Sequence, residues 1–131
     1  MNTTAQKLMQ DTKTIAIVGI SNKPDRASNR VAVYLKNAGY KLYFVNPQYE
    51  EVLGQPCYAS LSDIPDPVEM VDIFRKAADC LPIAEEAVKI GAQSIWLQLG
   101  ISNPDCKALA EKNGLAYVED KCTKIEHANL S

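Results

Sequence analysis

The sequence predicts an α/β fold in which a doubly wound parallel sheet has helices on both faces. Three times along the chain, a helical pattern ends at a glycine and is followed by a short apolar strand. Glycine just beyond a helix adopts the left-handed conformation that satisfies the last carbonyls. Strands that alternate with helices of about ten residues are typical of right-handed parallel crossovers. The length of 131 residues is that of a single domain.

The individual elements follow in order from apolar periodicity. A short amphipathic helix is expected over Thr4–Gln10, and a strand buried on both faces over Ile15–Val18. Three further helices are each followed by a strand: Asn29–Ala38 by Lys41–Val45, Cys80–Ile90 by Ser94–Leu99, and Pro104–Asn113 by Ala116–Val118. One more strand, Glu69–Phe74, is expected next to a proline-rich segment.

The helix starts carry residues that commonly cap helices. We predict that Ser28, Asp79 and Asn103 are the N-caps of the three helices, because their side-chain oxygens can accept hydrogen bonds from the first free amides. Pro104 suits the first helical position after Asn103.

Charge and hydropathy argue against several classes of function. The formal net charge of -2 disfavours a general nucleic-acid binder, which needs clustered positive charge. The apolar runs are much shorter than the ~20 residues of a membrane helix, and the N-terminus lacks the apolar core of a signal peptide. We therefore expect a cytoplasmic protein that binds neither nucleic acid nor membrane.

The cysteines predict neither a metal site nor a disulfide. Cys57, Cys80, Cys106 and Cys122 include no closely spaced pair, and cytoplasmic proteins rarely carry disulfides. We expect Cys80 and Cys106 in the core, whereas the exposure of Cys57 and Cys122 stays open. Trp96 lies mid-strand and is expected in the core.

The candidate binding residues lie in four loops that follow strands. In a doubly wound sheet the ligand lies beyond the carboxyl ends of the strands. These loops carry cations, hydroxyls and amides but no clustered carboxylates, which predicts an anion-binding rim. The candidate residues are Gly19, Ile20, Ser21, Lys23, Arg26, Ser28, Asn46, Pro47, Phe74, Arg75, Lys76, Gln98 and Gly100.

The first loop differs from the usual NAD-binding turn. Gly19 stands alone where the dinucleotide fingerprint needs G-x-G-x-x-G, and we interpret it as a position of close phosphate approach. Asn46 and Pro47 stand where NAD-binding folds place an acid that binds the ribose hydroxyls. Cations without that acid suit a ligand whose ribose is phosphorylated, which describes both NADP and coenzyme A.

Six blocks carry a resemblance to a known family: IAIVGISNKPDRAS, VAVYLKNAGYKLYFVNP, SLSDIP, VDIFRKA, SIWLQLGI and VEDKCTKIEH. From about Lys7 to His127 the chain resembles the small stand-alone CoA-binding domain proteins. These are related to the nucleotide-binding domain of the succinyl-CoA synthetase alpha subunit. The resemblance implies a Rossmann-like domain, here residues 1–131, that holds coenzyme A across the strand ends.

The resemblance also assigns roles to the candidate residues. It implies phosphate and nucleotide contacts at Gly19, Ser21, Arg26 and Ser28, adenosine contacts near Asn46 and Pro47, and further contacts at Phe74, Arg75, Gln98 and Gly100. Two positions depart from the family pattern. Ala27 replaces a frequent proline, and Lys121 stands where an arginine commonly precedes the cysteine.

The function expected from these residues is binding rather than catalysis. Related ligases use a histidine in a separate glycine-rich domain, and this chain ends before such a domain could begin. Its single histidine, His127, is expected to be solvated near the terminus, and no catalytic or metal-binding set is predicted, including among residues 119–127. We expect a non-catalytic carrier, sensor or regulatory module for CoA or an acyl-CoA. The alternatives are half of a split acyl-CoA ligase and an NADP-binding redox protein.

Overall fold

The computed structural model describes residues 2–130, which build a seven-stranded sheet between two layers of helices. The sheet order is β3-β4-β2-β1-β5-β6-β7, and every neighbouring pair is parallel except β3 and β4. The strands are β1 (Thr14–Val18), β2 (Lys41–Val45), β3 (Glu51–Val52), β4 (Gln55–Tyr58), β5 (Met70–Ile73), β6 (Ser94–Leu97) and β7 (Ala116–Val118). The chain places β2 on one side of β1 and β5 on the other, so the strand order reverses at β1.

Helices cover both faces of the sheet, as predicted. The helices are α1 (Thr4–Asp11), α2 (Ala27–Asn37), α3 (Cys80–Lys89), α4 (Pro104–Lys112) and α5 (Thr123–Ala128). Apolar side chains of α1 and α2 share one core cluster with Ile15 and Ile17, while those of α3 and α4 share another with Ala16 and Val18. Successive residues of β1 therefore enter opposite cores, which explains its uninterrupted apolar run. No helix within residues 2–130 has the length and hydropathy to cross a membrane.

Most predicted elements are confirmed within a few residues at their ends. Gly39, Gly91 and Gly114 end their helices with positive φ angles of +103°, +81° and +73°. Trp96, Cys80 and Cys106 are fully buried, as expected. The β3–β4 hairpin and the six-residue helix α5 were not predicted.

The three predicted helix caps have different outcomes. Asn103 is confirmed, because its side chain accepts hydrogen bonds from the amides of Asp105 and Cys106. Asp79 stands at the N-cap of α3 but makes no capping bond. The prediction for Ser28 was wrong: α2 begins at Ala27, and the Ser28 hydroxyl instead accepts a hydrogen bond from the Ser21 amide, 2.9 Å away.

The histidine near the terminus is not the solvated residue that the sequence predicted. His127 is half-buried, and its Nδ1 lies 2.8 Å from the Tyr34 hydroxyl. Its ring packs edge-on against Tyr34 and Tyr40, with centroids 5.4 and 5.6 Å apart. These contacts join α5 to α2 and to the residue before β2.

A buried polar cluster attaches α5 to the middle of the sheet. The Thr123 hydroxyl lies 3.1 Å from Oδ2 of Asp72, on β5, and 3.2 Å from Oε1 of Gln98. Asp72 is completely buried, and its Oδ1 has no hydrogen-bond partner among the described residues. Burial raises the pKa of Asp72 well above its ordinary value, and the Thr123 hydrogen bond offsets only part of this rise.

We expect that the free energy of unfolding decreases as the pH rises because of Asp72, and that the Asp72→Asn substitution abolishes this contribution. Because the folded-state pKa is raised, the native protein keeps a proton that the unfolded chain releases above pH ~4. The free energy of unfolding therefore falls as pH rises from the unfolded pKa to the folded pKa, by roughly 1.4 kcal/mol per pH unit within that window.

Urea denaturation of the unsubstituted protein and the Asp72→Asn variant at pH 5 and pH 8 measures this effect. Comparing the free energies of unfolding of the two proteins removes the contribution of all other titrating groups. Relative to the unsubstituted protein, the variant should be more stable at pH 8 than at pH 5. A difference independent of pH would contradict a raised pKa at Asp72.

Candidate functional site

Three adjoining clefts open beside the carboxyl ends of β1, β2, β5 and β6. The anion cleft, about 410 Å³, is lined by the first loop, the start of α2 and the segment after β2. The central cleft, about 380 Å³, lies between Pro47 and the start of α3, and the apolar cleft, about 480 Å³, lies between α2, β6 and α5. Gly19 lines the first two clefts and Phe74 lines the first and third, so the three clefts adjoin one another.

All predicted site residues except Gly100 line at least one of these clefts. The anion cleft holds Gly19, Ile20, Ser21, Lys23, Arg26, Ser28, Asn46 and Phe74. The central cleft adds Pro47 and Arg75, and the apolar cleft adds Lys76 and Gln98. Gly100 lies outside all three, and its amide donates a hydrogen bond to Asp120 Oδ1 at 2.7 Å.

Polar side chains fix the shape of the first loop. Asn46 Nδ2 donates to the Ile20 carbonyl, and Asn29 Nδ2 donates to the Ser21 carbonyl, each at 2.9 Å. The hydroxyls of Ser28 and Ser21 accept hydrogen bonds from the amides of Ser21 and Lys23. Ser21, Ser28 and Asn46, which the sequence suggested as ligand contacts, thus also hold the backbone of the loop.

Gly19 is required by packing at the start of this loop. Its φ is +86°, and a Cβ at this position would lie 2.5 Å from the Phe74 carbonyl oxygen and 2.9 Å from Arg75 Cδ. The sequence interpretation assigned this glycine to close phosphate approach. The structure shows a further reason for glycine here, which is that the chain after β5 passes directly against it.

The anion cleft concentrates positive charge. Lys23 and Arg26 are exposed, and neither has a carboxylate within ion-pair distance among residues 2–130. Arg26 stands at the N-cap of α2 without a side-chain capping bond. The positive end of the helix dipole therefore adds to the two cations.

Two carboxylates line the central cleft, and both come from outside the four loops for which the sequence predicted no clustered carboxylates. Asp79 and Glu86 both line it. Asp79 Oδ2 lies 3.6 Å from Arg75 Nη2, and Glu86 accepts hydrogen bonds from the amides of Leu61 and Ser62. Arg75 is therefore partly neutralised, unlike Lys23 and Arg26. No group of three His, Cys, Asp or Glu side chains within the described part of the chain could hold a metal ion.

The apolar cleft owes one wall to α5. Cys122 and Ile125 line this side of the cleft, which Val31 of α2 also lines. Gln98 is buried at the base of the loop after β6, and its Oε1 accepts hydrogen bonds from the Thr123 amide and hydroxyl at 3.1 and 3.2 Å. A residue predicted as a ligand contact thus also positions the helix that completes the cleft.

Several lining residues were not predicted from the sequence. Gln48 and Tyr49 line the anion cleft, and Leu99, Cys122 and Ile125 line the apolar cleft. Tyr49 follows the Asn46-Pro47 turn closely, so extending that loop by two residues would have included it. The α5 residues carried no such signal, because a helix this short has little periodicity.

The two cysteines left open by the sequence differ in their surroundings. Cys57 is half-buried, its Sγ lies 3.6 Å from the Asn46 carbonyl, and burial raises its pKa. Cys122 is half-buried as well but lines the apolar cleft.

Comparisons with known proteins agree with this architecture. A family model described as a CoA binding domain matches residues 13–128. The chain is 34% identical over 123 residues to the protein YneT of Bacillus subtilis, covering 94% of this chain and 91% of that protein. A solved structure of a hypothetical protein from Pyrococcus horikoshii superposes with a TM-score of 0.93 at 42% identity, covering 96% of this chain and 89% of that one.

A larger relative matches only over a small part of its length. The chain is 38% identical over 129 residues to acetate–CoA ligase (ADP-forming) I of Archaeoglobus fulgidus, and the match covers 91% of this chain but 19% of the ligase.

We expect Gly19→Ala to lower the free energy of unfolding by about 2–4 kcal/mol, since a positive φ costs roughly 1–2 kcal/mol and the contact with Phe74 adds overpacking. Gly91→Ala is the matched control, because its φ of +81° is similar but a Cβ there would meet nothing within 4 Å. It should cost only the backbone part, about 1–2 kcal/mol. Equal losses in urea denaturation would show that the approach of Phe74 is not the constraint at position 19.

Proposed function

This chain belongs to the CoA-binding domain family, and we propose that it binds coenzyme A or an acyl-CoA across the three clefts. The observation that carries this proposal is the pair of cations Lys23 and Arg26 at the N-terminus of α2, neither of which forms an ion pair within residues 2–130. Coenzyme A carries a diphosphate and a phosphorylated ribose, and such groups suit helix N-termini and charge-assisted hydrogen bonds.

The chemistry along the clefts suggests how the ligand lies. The phosphates fit the anion cleft beside Lys23 and Arg26, where Tyr49 offers an aromatic surface to the nucleoside base. The pantetheine arm then leads past Phe74, which lines both clefts, toward the apolar cleft. Arg75 and Lys76, on the same loop, supply further cations. Gly100 has no place in this arrangement, because it lies outside the clefts.

We assign the first loop a supporting role in this proposal. Ser21, Ser28 and Asn46 hold the backbone in shape through hydrogen bonds within the protein. A loop already held in its bound shape needs less ordering when the ligand arrives, which favours affinity.

Binding itself is the activity that we propose for this chain, as a carrier, sensor or regulatory module. The clefts offer cations, amides and hydroxyls, which are groups that hold an anionic ligand. The chain's one histidine lines a different cleft, with Met9 and Tyr40, and its Nδ1 already contacts a tyrosine. The imidazole is therefore placed away from the proposed ligand.

A second candidate is favoured by the match to part of an acetate–CoA ligase. In this case the chain would supply the CoA-binding part of an acyl-CoA ligase whose catalytic part lies in another protein. Because the purified chain alone would lack the catalytic part in both cases, affinity purification from the native cells separates the two candidates. A co-purifying partner protein that together with this chain forms acetyl-CoA from acetate, CoA and ATP would overturn the binding-module proposal in favour of a split ligase. We expect the chain to purify without such a partner.

We expect Arg26→Ala to weaken CoA binding by roughly ten- to a hundredfold, because one charge-assisted phosphate contact contributes about 1.5–3 kcal/mol. Isothermal titration calorimetry at one fixed salt concentration measures this. Arg30→Ala is the matched control: Arg30 is also exposed on α2, lines none of the three clefts and donates to the Asp25 carbonyl.

The same titration separates coenzyme A from nicotinamide cofactors. We expect CoA to bind, and NADPH and NADH to bind at least tenfold more weakly. Tight binding of NADPH alone would favour the redox alternative.

For the two arginine variants, an equal loss of CoA affinity in Arg26→Ala and Arg30→Ala would mean that Arg26 acts only through the overall charge of the protein.

A further inference from the structure

The apolar cleft carries hydrophobic side chains that nothing in the protein covers. Among residues 2–130, the large hydrophobic side chains that are exposed are Val33, Leu99 and Ile125. Leu99 and Ile125, with 64% and 48% of their surface exposed, both line this cleft. Exposed apolar side chains that converge on one concave surface mark a site for an apolar ligand.

The apolar cleft adjoins the anion cleft. Ala27 and Phe74 line both. A ligand whose phosphates lie beside Arg26 can therefore extend past Phe74 and reach Leu99 and Ile125 without leaving the protein surface.

The polar side chains that line the cleft, those of Arg75, Lys76 and Gln98, offer the amide N–H groups of such a ligand few acceptors. The pantetheine arm of coenzyme A contains two amides, whose N–H groups need acceptors when they are buried. The Gln98 Oε1 acceptor is already occupied by the Thr123 amide and hydroxyl. The remaining surface comes largely from Val31, Phe74, Leu99, Ile101 and Ile125. This surface suits a hydrocarbon chain better than an amide-bearing arm.

We propose that the apolar cleft between α2, β6 and α5 holds the aliphatic acyl group of an acyl-CoA thioester, so that the protein prefers acyl-CoA to free CoA. This inference rests on the proposed binding of CoA in the neighbouring anion cleft. A volume of about 480 Å³ lies in the range of small-molecule sites. Its open side leaves room for chains of different length.

Titrations with CoA, acetyl-CoA, butyryl-CoA and octanoyl-CoA test the inference. A fully buried methylene strengthens binding by roughly three- to fourfold, and a partly open cleft recovers a fraction of this. We expect octanoyl-CoA to bind at least tenfold more tightly than acetyl-CoA. Equal affinities for CoA and octanoyl-CoA would overturn the acyl site while leaving CoA binding intact, whereas binding of none would refute both.

Two substitutions test whether the acyl chain binds in the apolar cleft. Leu99→Ser and Ile125→Ser should each reduce the affinity ratio of octanoyl-CoA to acetyl-CoA by about three- to tenfold. Val33→Ser is the control. Val33 is an exposed hydrophobic residue like Leu99 and Ile125, but it lines none of the three clefts. An unchanged ratio in both cleft variants would show that the acyl chain lies elsewhere.

Alkylation of the native cysteines gives a readout that does not depend on these substitutions. Cys122 lines the apolar cleft, whereas Cys57 lines none of the three clefts and serves as an internal reference. Octanoyl-CoA should slow maleimide labelling of Cys122, measured by peptide mass spectrometry, at least fivefold more than acetyl-CoA at equal saturation. Equal protection by the two ligands would contradict the acyl site.

Discussion

The close approach of Gly19 to the chain after β5 is the constraint on which the candidate site depends. The Gly19 amide donates to the Val45 carbonyl at 2.9 Å, and the Phe74 amide donates to the Val18 carbonyl at 2.8 Å. These two hydrogen bonds align the carboxyl ends of β1, β2 and β5. Because Gly19 has no Cβ, the Phe74 carbonyl can lie directly against it. All three clefts of the candidate site adjoin this junction, since each is lined by Gly19 or Phe74.

Around this junction, different side chains take different tasks. Ser21, Ser28, Asn29 and Asn46 hold the first loop through hydrogen bonds to its backbone. The cations Lys23 and Arg26 are left exposed at the start of α2. A polar loop that satisfies its own backbone can keep its shape in water, so that the positive charge beside it stays available to an anionic ligand.

The side of the apolar cleft that α5 forms is held in place by buried polar contacts. Helix α5 has only six residues, too few to be stable in isolation, and its position depends on buried contacts with the sheet. Thr123 lies between Asp72 and Gln98, and Trp96 Nε1 donates to the Lys121 carbonyl at 2.7 Å. A polar cluster in the core therefore determines the shape of an apolar cleft at the surface.

The sequence by itself determined the α/β class, the helix stops at glycine, the buried strands and the loops that line the clefts. These follow from local periodicity and from the backbone freedom of glycine, which are visible in short windows. Only the tertiary structure decided the β3–β4 hairpin, helix α5 and the tasks of Ser28, Asn46 and Gln98. The Asn46 side chain bonds a carbonyl 26 residues earlier and that of Gln98 bonds an amide 25 residues later. The role of a polar side chain depends on which partner lies within hydrogen-bond distance, and folding brings those partners together from distant parts of the chain.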